Sequence, residues 1–182
     1  MSELVFWLIR HAESTWNADG RWQGHADPPL SARGQQQATE LAAALSNAGI
    51  DLLLASDLTR TAQTASILGR QLGLEPRHEA GLREIDAGRW SGFRRQEIAR
   101  QDADALARFD TGDIDAPAGG GESRRGAAAR VRAVLTAVAA DHPAGQVAVV
   151  THSGVIDSLL PGSRVGHARW TVSRAERILR RS

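Results

Sequence analysis

Three short apolar runs bounded by polar turns punctuate the chain: Leu4 to Ile9, Ile50 to Ala55, and Gln146 to Thr151 around Val147-Ala148-Val149-Val150. Runs of this length without polar alternation read as strands buried on both faces. Between the first two, Leu41 and Leu45 share one helical face, with Ser31 as N-cap and Gly49 as the stop. A second helix is expected from Asp57 to Leu72, capped by Ser56, with Leu58, Ala62, Ala65 and Leu72 turned inward. Further helices are expected near Arg94 to Phe109 and Ser123 to Ala140. Strand and helix alternate, which predicts an α/β fold: a three-layer α/β/α sandwich with a mainly parallel central sheet. The glycine-rich stretch Gly119 to Glu122 follows Pro117 and reads as a loop inside this pattern. The 182 residues are therefore read as one domain.

Composition narrows the chemistry. The chain has 22 basic and 21 acidic residues, a net charge of +1, and every basic residue is arginine. Near-neutrality argues against a general nucleic-acid or membrane-surface binder. Coding bias alone would produce an all-arginine set, yet the guanidinium fork is also what meets a planar anion bidentately. The absence of cysteine excludes disulfides, thiolate catalysis and cysteine-ligated zinc. The first apolar run ends at Arg10, too short for a signal peptide or a membrane span, so a cytoplasmic location is expected.

In open parallel sheets the ligand site lies beyond the carboxyl ends of the strands. Here the first run ends in Arg10-His11, the second leads through Ser56-Asp57-Leu58-Thr59 into Arg60, and the last ends in Thr151-His152-Ser153-Gly154. A lone arginine is ordinarily a solvated surface residue and a lone histidine a hydrogen-bonded structural one. Parallel strands would bring all four to one sheet edge. Imidazole can attack phosphorus, and guanidinium groups can neutralise the oxygens of a phosphoryl group in transit. No acidic cluster of metal-ligand spacing and no Lys-bearing phosphate loop accompanies them. The pattern therefore points to metal-free, cofactor-free phosphoryl transfer through a phosphohistidine. Zinc held by His11 and His152 is the competing use, and neighbouring arginines would repel it. Departure of an alkoxide also needs a proton donor. The loop Leu82 to Gly92 offers Glu84 and Asp86, and its composition does not choose between them.

These residues resemble a known family. Leu8-Ile9-Arg10-His11-Ala12-Glu13-Ser14 with Asn17, then Gln23-Gly24-His25-Ala26-Asp27-Pro28-Pro29-Leu30-Ser31-Ala32-Arg33-Gly34, resembles the opening of the histidine phosphatase superfamily, the phosphoglycerate mutase-like proteins. The likeness continues through Ser56-Asp57-Leu58-Thr59-Arg60-Thr61, Glu84-Ile85 with Gly88-Arg89-Trp90, Gly120-Gly121-Glu122-Ser123 and Val149-Val150-Thr151-His152-Ser153-Gly154. Six motifs stand in the family's order from about Leu4 to Leu160. The resemblance implies a phosphoglycerate mutase-like fold with His11 as the phosphorylated nucleophile. Arg10, Arg60 and His152 would hold the phosphoryl oxygens, with Asn17 and the Ser153 N–H donating to them. Gln23 and Gly24 would lie where the family's substrate loop reaches the pocket. The carboxylate at Glu84 would be the general acid and then the base that activates water, which places it ahead of Asp86. Flanking arginines should lower the pKa of His11, and a dianionic phosphate should favour the protonated form of His152.

Two departures from the family carry expectations of their own. Alanine stands at position 12, where the family has glycine; a positive φ there would strain it, but its small side chain leaves activity expected. After His152 the family continues a long helix, whereas Pro161-Gly162 interrupts it here. The tail then carries Arg164, Arg169, Arg174, Arg177, Arg180 and Arg181. It reads as a divergent edge element, a surface helix or a segment altered at the gene level.

Only 68 positions separate Glu84 from His152, which leaves little room for the insertion that encloses a mutase intermediate. Hydrolysis of a small phosphate ester is therefore expected. Phe6-Trp7-Leu8-Ile9-Arg10-His11 with Asn17-Ala18-Asp19-Gly20 is most similar to the alpha-ribazole phosphatases of cobalamin assembly. The alternatives are a phosphoglycerate mutase-type phosphotransferase and a non-catalytic phospholigand-binding member. Nucleic-acid binding through the tail is disfavoured by Glu176 and the balanced charge. No oligomeric state follows from the sequence, a dimer being one option.

Overall fold

A computed structural model describes residues 3–180. Strands β1 (Leu4–Arg10), β2 (Leu52–Ala55), β3 (Arg77–His78), β4 (Gly145–Thr151) and β5 (Trp170–Arg174) form one sheet in the order β3-β2-β4-β1-β5. The first four are parallel and β5 alone runs antiparallel, against β1. Alternate side chains of β1 and β4 feed two cores, which is why the middle of each strand is continuously apolar. Phe6, Leu8, Val147 and Val149 pack with α6 (Arg124–Asp141), α7 (Ser153–Leu159) and α8 (Ala175–Leu179). Ile9, Ala148 and Val150 pack with α2 (Ala32–Ala44) and α3 (Thr59–Leu72) on the opposite face. The result is the expected three-layer α/β/α sandwich.

A third apolar cluster stands beside the sheet. Ile85, Trp90, Ile98, Leu106 and Phe109 join the loop after β3 to α4 (Arg95–Gln101) and α5 (Ala103–Asp110). The single helix expected over Arg94 to Phe109 is broken in two at Asp102, which adopts φ −150°. Its carboxylate accepts the indole N–H of buried Trp90 at 2.7 Å and Arg89 at 2.6 Å. A buried donor left unpaired costs about 1–3 kcal/mol, enough to outweigh one residue of helix.

Ser56 does not cap α3. Its hydroxyl takes the Leu58 N–H at 3.4 Å, and Leu58 is the N-cap with no side-chain bond of its own. Asp27, from the loop after α1 (Thr15–Ala18), supplies the cap from a distance, accepting Thr59 N–H at 2.6 Å and Thr59 Oγ1–H at 2.7 Å. A carboxylate at this end also suits the helix dipole. Ser31 does cap α2 as expected, and Ser123, read as the first residue of its helix, is the N-cap of α6.

The tail proves to be an edge strand followed by a short helix. After α7 the chain turns at Pro161-Gly162, returns, and pairs along β1 from Ile9↔Trp170 to Val5↔Arg174. Ile178 of α8 is fully buried. Arg181 lies outside the described residues. Among those residues no helix is long and apolar enough to cross a membrane.

Candidate active site

The chain leaves β1 for the α2/α3 face and leaves β4 for the α7 face, so the boundary between these two adjacent strands is the switch point of the sheet. Register does the rest. Arg10 pairs with Thr151, so His11 and His152, each one residue past its strand, stand side by side with ring centroids 5.2 Å apart. The His11 N–H is tied to the Thr151 carbonyl at 2.9 Å.

A cavity of about 350 Å³ opens here, and Arg10, His11, Asn17, Gln23, Gly24, Arg60, Glu84 and Ser153 are among the residues that line it. His152 is fully buried against the His11 ring. All the expected site residues are thus brought together. Asp86 is not among the lining residues; its carboxylate accepts the Gly88 N–H at 3.0 Å, so of these two carboxylates Glu84 is the one that lines the cavity.

His11 Nδ1 lies 2.7 Å from the Ala12 carbonyl. A carbonyl only accepts, so Nδ1 carries the proton and Nε2 is left with a free lone pair. Burial first, then the charge of Arg60, pushes the His11 pKa well below the ordinary imidazole value. The same two causes lower that of His152. Ala12 is buried and is not among the residues with positive φ, so its Cβ brings none of the strain that a left-handed backbone would impose. Its N–H donates to Thr64 Oγ1 at 3.1 Å.

Arg60 is almost wholly buried on the first turn of α3. Its two terminal nitrogens donate to the carbonyls of Ala26 at 2.8 Å and Gly24 at 2.9 Å. Gly24 has φ +51°, and a Cβ there would fall 2.5 Å from the Ala87 nitrogen, so only glycine lets this loop close on the guanidinium. Ser14 orders the neighbouring amides. Its N–H donates to Asn17 Oδ1 at 3.1 Å and its hydroxyl to Gln23 Oε1 at 2.7 Å, leaving both amide nitrogens as the groups available to the cavity.

Among the described residues, four buried side-chain nitrogens have no hydrogen-bond partner: Arg10 Nε, Arg60 Nε, and both ring nitrogens of His152. Two guanidinium groups with spare donors beside neutral imidazoles form a site built for an anion.

Glu84 is held by parts that the sequence reading missed. Its Oε1 accepts Ile85 N–H at 2.9 Å and its Oε2 accepts Gly154 N–H at 3.3 Å. Arg130 on α6 donates to the Gly81 and Arg83 carbonyls at 2.9 and 3.0 Å and forks onto Glu122 at 3.0 and 2.6 Å. The Gly-Gly-Glu stretch is thus a brace. Gly119, at φ +56°, and Gly121 press backbone to backbone against Asp86 and Ala87, and Glu122 anchors the arginine that holds the Glu84 loop.

The second omission is His167, in the tail. Its Nε2 lies 2.7 Å from an Arg10 terminal nitrogen, and the other terminal nitrogen donates to the Val165 carbonyl at 3.1 Å. Burial, then the Arg10 charge, lowers the His167 pKa to about 4, so it is the neutral acceptor that Arg10 requires. Among the described residues no group of three or more His, Asp and Glu is arranged to hold a metal ion.

Comparison with known proteins agrees with this geometry. Residues 6–168 match the model of the histidine phosphatase superfamily (branch 1). A probable phosphoglycerate mutase GpmB of Citrobacter koseri is 32% identical over 177 residues, 97% of this chain and 80% of that protein. The structure of a mycobacterial glucosyl-3-phosphoglycerate phosphatase superposes with a TM-score of 0.84 at 32% identity, covering 92% of this chain and 91% of that one. An alpha-ribazole phosphatase from Shigella flexneri gives 0.79 at 28% identity, covering 92% and 89%. The chain belongs to the histidine phosphatase superfamily, and both of these structural neighbours are phosphoric monoester hydrolases.

Proposed function

We propose that the protein hydrolyses the phosphate monoester of a small metabolite by way of a phosphohistidine at His11, with no metal in the reaction. The observation that carries this reading is the pairing of a neutral, correctly tautomeric His11 with the buried, partnerless nitrogens of Arg10, Arg60 and His152 in one cavity. In the first step His11 Nε2 bonds to phosphorus as the P–O bond to the leaving group breaks, and protonated Glu84 delivers its proton to the departing oxygen. Arg10, Arg60, His152 and Asn17, with the Ser153 N–H, hold the non-bridging oxygens. Gln23 and Gly24 shape the wall of the loop beside them. In the second step Glu84 takes a proton from water, whose oxygen displaces Nε2 and releases inorganic phosphate.

Small phosphorylated metabolites are the substrate class we infer, alpha-ribazole phosphate among them, in a cytoplasmic setting. The test is kcat/KM with chelator present on a panel holding an aryl phosphate, alpha-ribazole phosphate and 3-phosphoglycerate. Hydrolysis with an acid-labile phosphoenzyme is expected. His11→Ala should abolish turnover and Arg60→Ala should lower it about a hundredfold or more. Interconversion of 3- and 2-phosphoglycerate primed by bisphosphoglycerate, without net phosphate release, would show a mutase instead. Phosphate binding without turnover would show a non-catalytic module.

A further inference from the structure

The segment 165–169 has two faces. Its inner face meets the catalytic cavity, where the Val165 carbonyl and His167 Nε2 each take a terminal nitrogen of Arg10. The Arg169 carbonyl takes the Arg10 backbone N–H at 3.0 Å, and the Ala168 N–H donates to the His11 carbonyl at 3.3 Å. Ala168 holds φ +49° and, among the described residues, is the one residue other than glycine with a left-handed backbone. A conformation of that kind persists only where the surroundings dictate it.

The outer face lines a separate depression of about 280 Å³ against α2. His167 and Arg169 contribute to it from the segment, and Arg33, Gln36, Gln37 and Glu40 from the helix. His167 is the side chain shared by the clamp and the depression. A guanidinium only donates, so Nε2 accepts from Arg10 and the neutral ring carries its proton on Nδ1. That N–H has no partner among the described residues, and it is not sealed in the interior.

The other groups around it favour a negative ligand. Gln37 spends Oε1 on the Glu13 N–H at 3.0 Å, which leaves its amide nitrogen as a donor. Arg169 is exposed, and its guanidinium makes no ion pair among the described residues. Arg33 already stands 3.9 Å from the Glu13 carboxylate, so it adds less. Glu40 is the carboxylate that lines the depression, and it lies about two helical turns along α2 from Arg33.

The geometry points to a second anion site in this depression, for a small carboxylate that accepts the His167 Nδ1–H beside Arg169 and thereby tightens the hold of Arg10 on phosphate. An imidazole that gives its N–H to an anion becomes a stronger acceptor at its other nitrogen, and that nitrogen is the one fixing Arg10. Repulsion between the two anions is screened because the depression opens to water. The inference goes beyond the phosphatase reading and needs only that Arg10 binds phosphate.

The test titrates inorganic phosphate at fixed ionic strength with and without malonate, followed by tryptophan fluorescence, since Trp22 lines the catalytic cavity. Malonate should tighten phosphate binding about fivefold, and phosphate should tighten malonate binding by the same factor, because coupling between two sites is reciprocal. His167→Ala should abolish the coupling. Gln36→Glu, which adds a carboxylate to the depression, should raise the malonate concentration required, and Glu40→Gln, which removes one, should lower it. Neither side chain belongs to the clamp, so phosphate affinity without malonate should match wild type in both. Weaker phosphate binding in malonate would show competition for the catalytic cavity and overturn the inference, as would no change at all. A coupling that survives His167→Ala, or that Gln36→Glu and Glu40→Gln leave unmoved, overturns it too. Failure of the phosphatase reading looks different: an aryl phosphate is not turned over, while the coupling, read by binding alone, is still seen.

Discussion

His11 and His152 are kept neutral by burial and by the adjacent Arg60, and this has consequences at two levels. For catalysis, the nucleophile must be unprotonated, so a depressed pKa moves the acid limb of the rate profile downward. Aryl phosphatase kcat/KM should hold as the pH drops through the ordinary imidazole value of about 6.5 and fall only below it, and a limb centred at or above about 6.5 would contradict the assignment. For stability the sign is fixed by the same shift. Both folded-state values lie below the unfolded value of about 6.5, so the unfolded chain binds more protons as the pH drops through that value and stability is lost on acidification. A bound phosphoryl dianion opposes this by favouring His152 in its cationic form. The melting temperature should therefore decline from pH 7 to 5, and inorganic phosphate should restore part of the loss.

At the scale of elements, the loop that carries Glu84 has little structure of its own and borrows its position from α6 through Arg130 and Glu122. Removing one partner leaves the other charged and half-buried, at a cost of about 1–3 kcal/mol. The chemical effect is more diagnostic. If Glu84 supplies the proton to the leaving group, Arg130→Ala and Glu84→Gln should both slow alkyl phosphates far more than a nitrophenyl phosphate, whose leaving group departs without help. Equal losses on both substrates would assign the brace a purely structural role. The break at Asp102 follows the same logic, a helix interrupted where a buried indole needed an acceptor.

At the scale of the molecule, the tail closes the site from behind. Residues 165–169 receive Arg10 on the Val165 carbonyl and the His167 ring, and bond to the backbone of Arg10 and His11 before the chain pairs with β1 as β5. Arg10 is thus oriented by residues 155 and 157 positions away in sequence. His167→Ala should weaken inhibition by inorganic phosphate about tenfold while leaving the fold intact, and His167→Gln, which keeps an acceptor, should recover much of it. Unchanged phosphate affinity in His167→Ala would remove His167 from the clamp. The edge strand itself ends in exposed Arg174, a charge at the margin that discourages pairing with another sheet.

The sequence by itself determined the alternation of buried strands and amphipathic helices, and with it the layering and the strand ends where Arg10, His11, Arg60 and His152 meet. These features are local: apolar runs, spacing and the parallel-sheet rule suffice to read them. Glu84 became distinct from Asp86 at the sequence level only through family resemblance, because both carboxylates look alike in one dimension. Three things belonged to tertiary structure alone. Asp27 caps α3 in place of Ser56, Arg130 and the glycine stretch hold Glu84, and His167 in a seemingly unrelated tail fixes Arg10. Each is a contact between residues far apart in the chain, and a hydrogen bond of that kind leaves no periodicity or composition for a sequence to show.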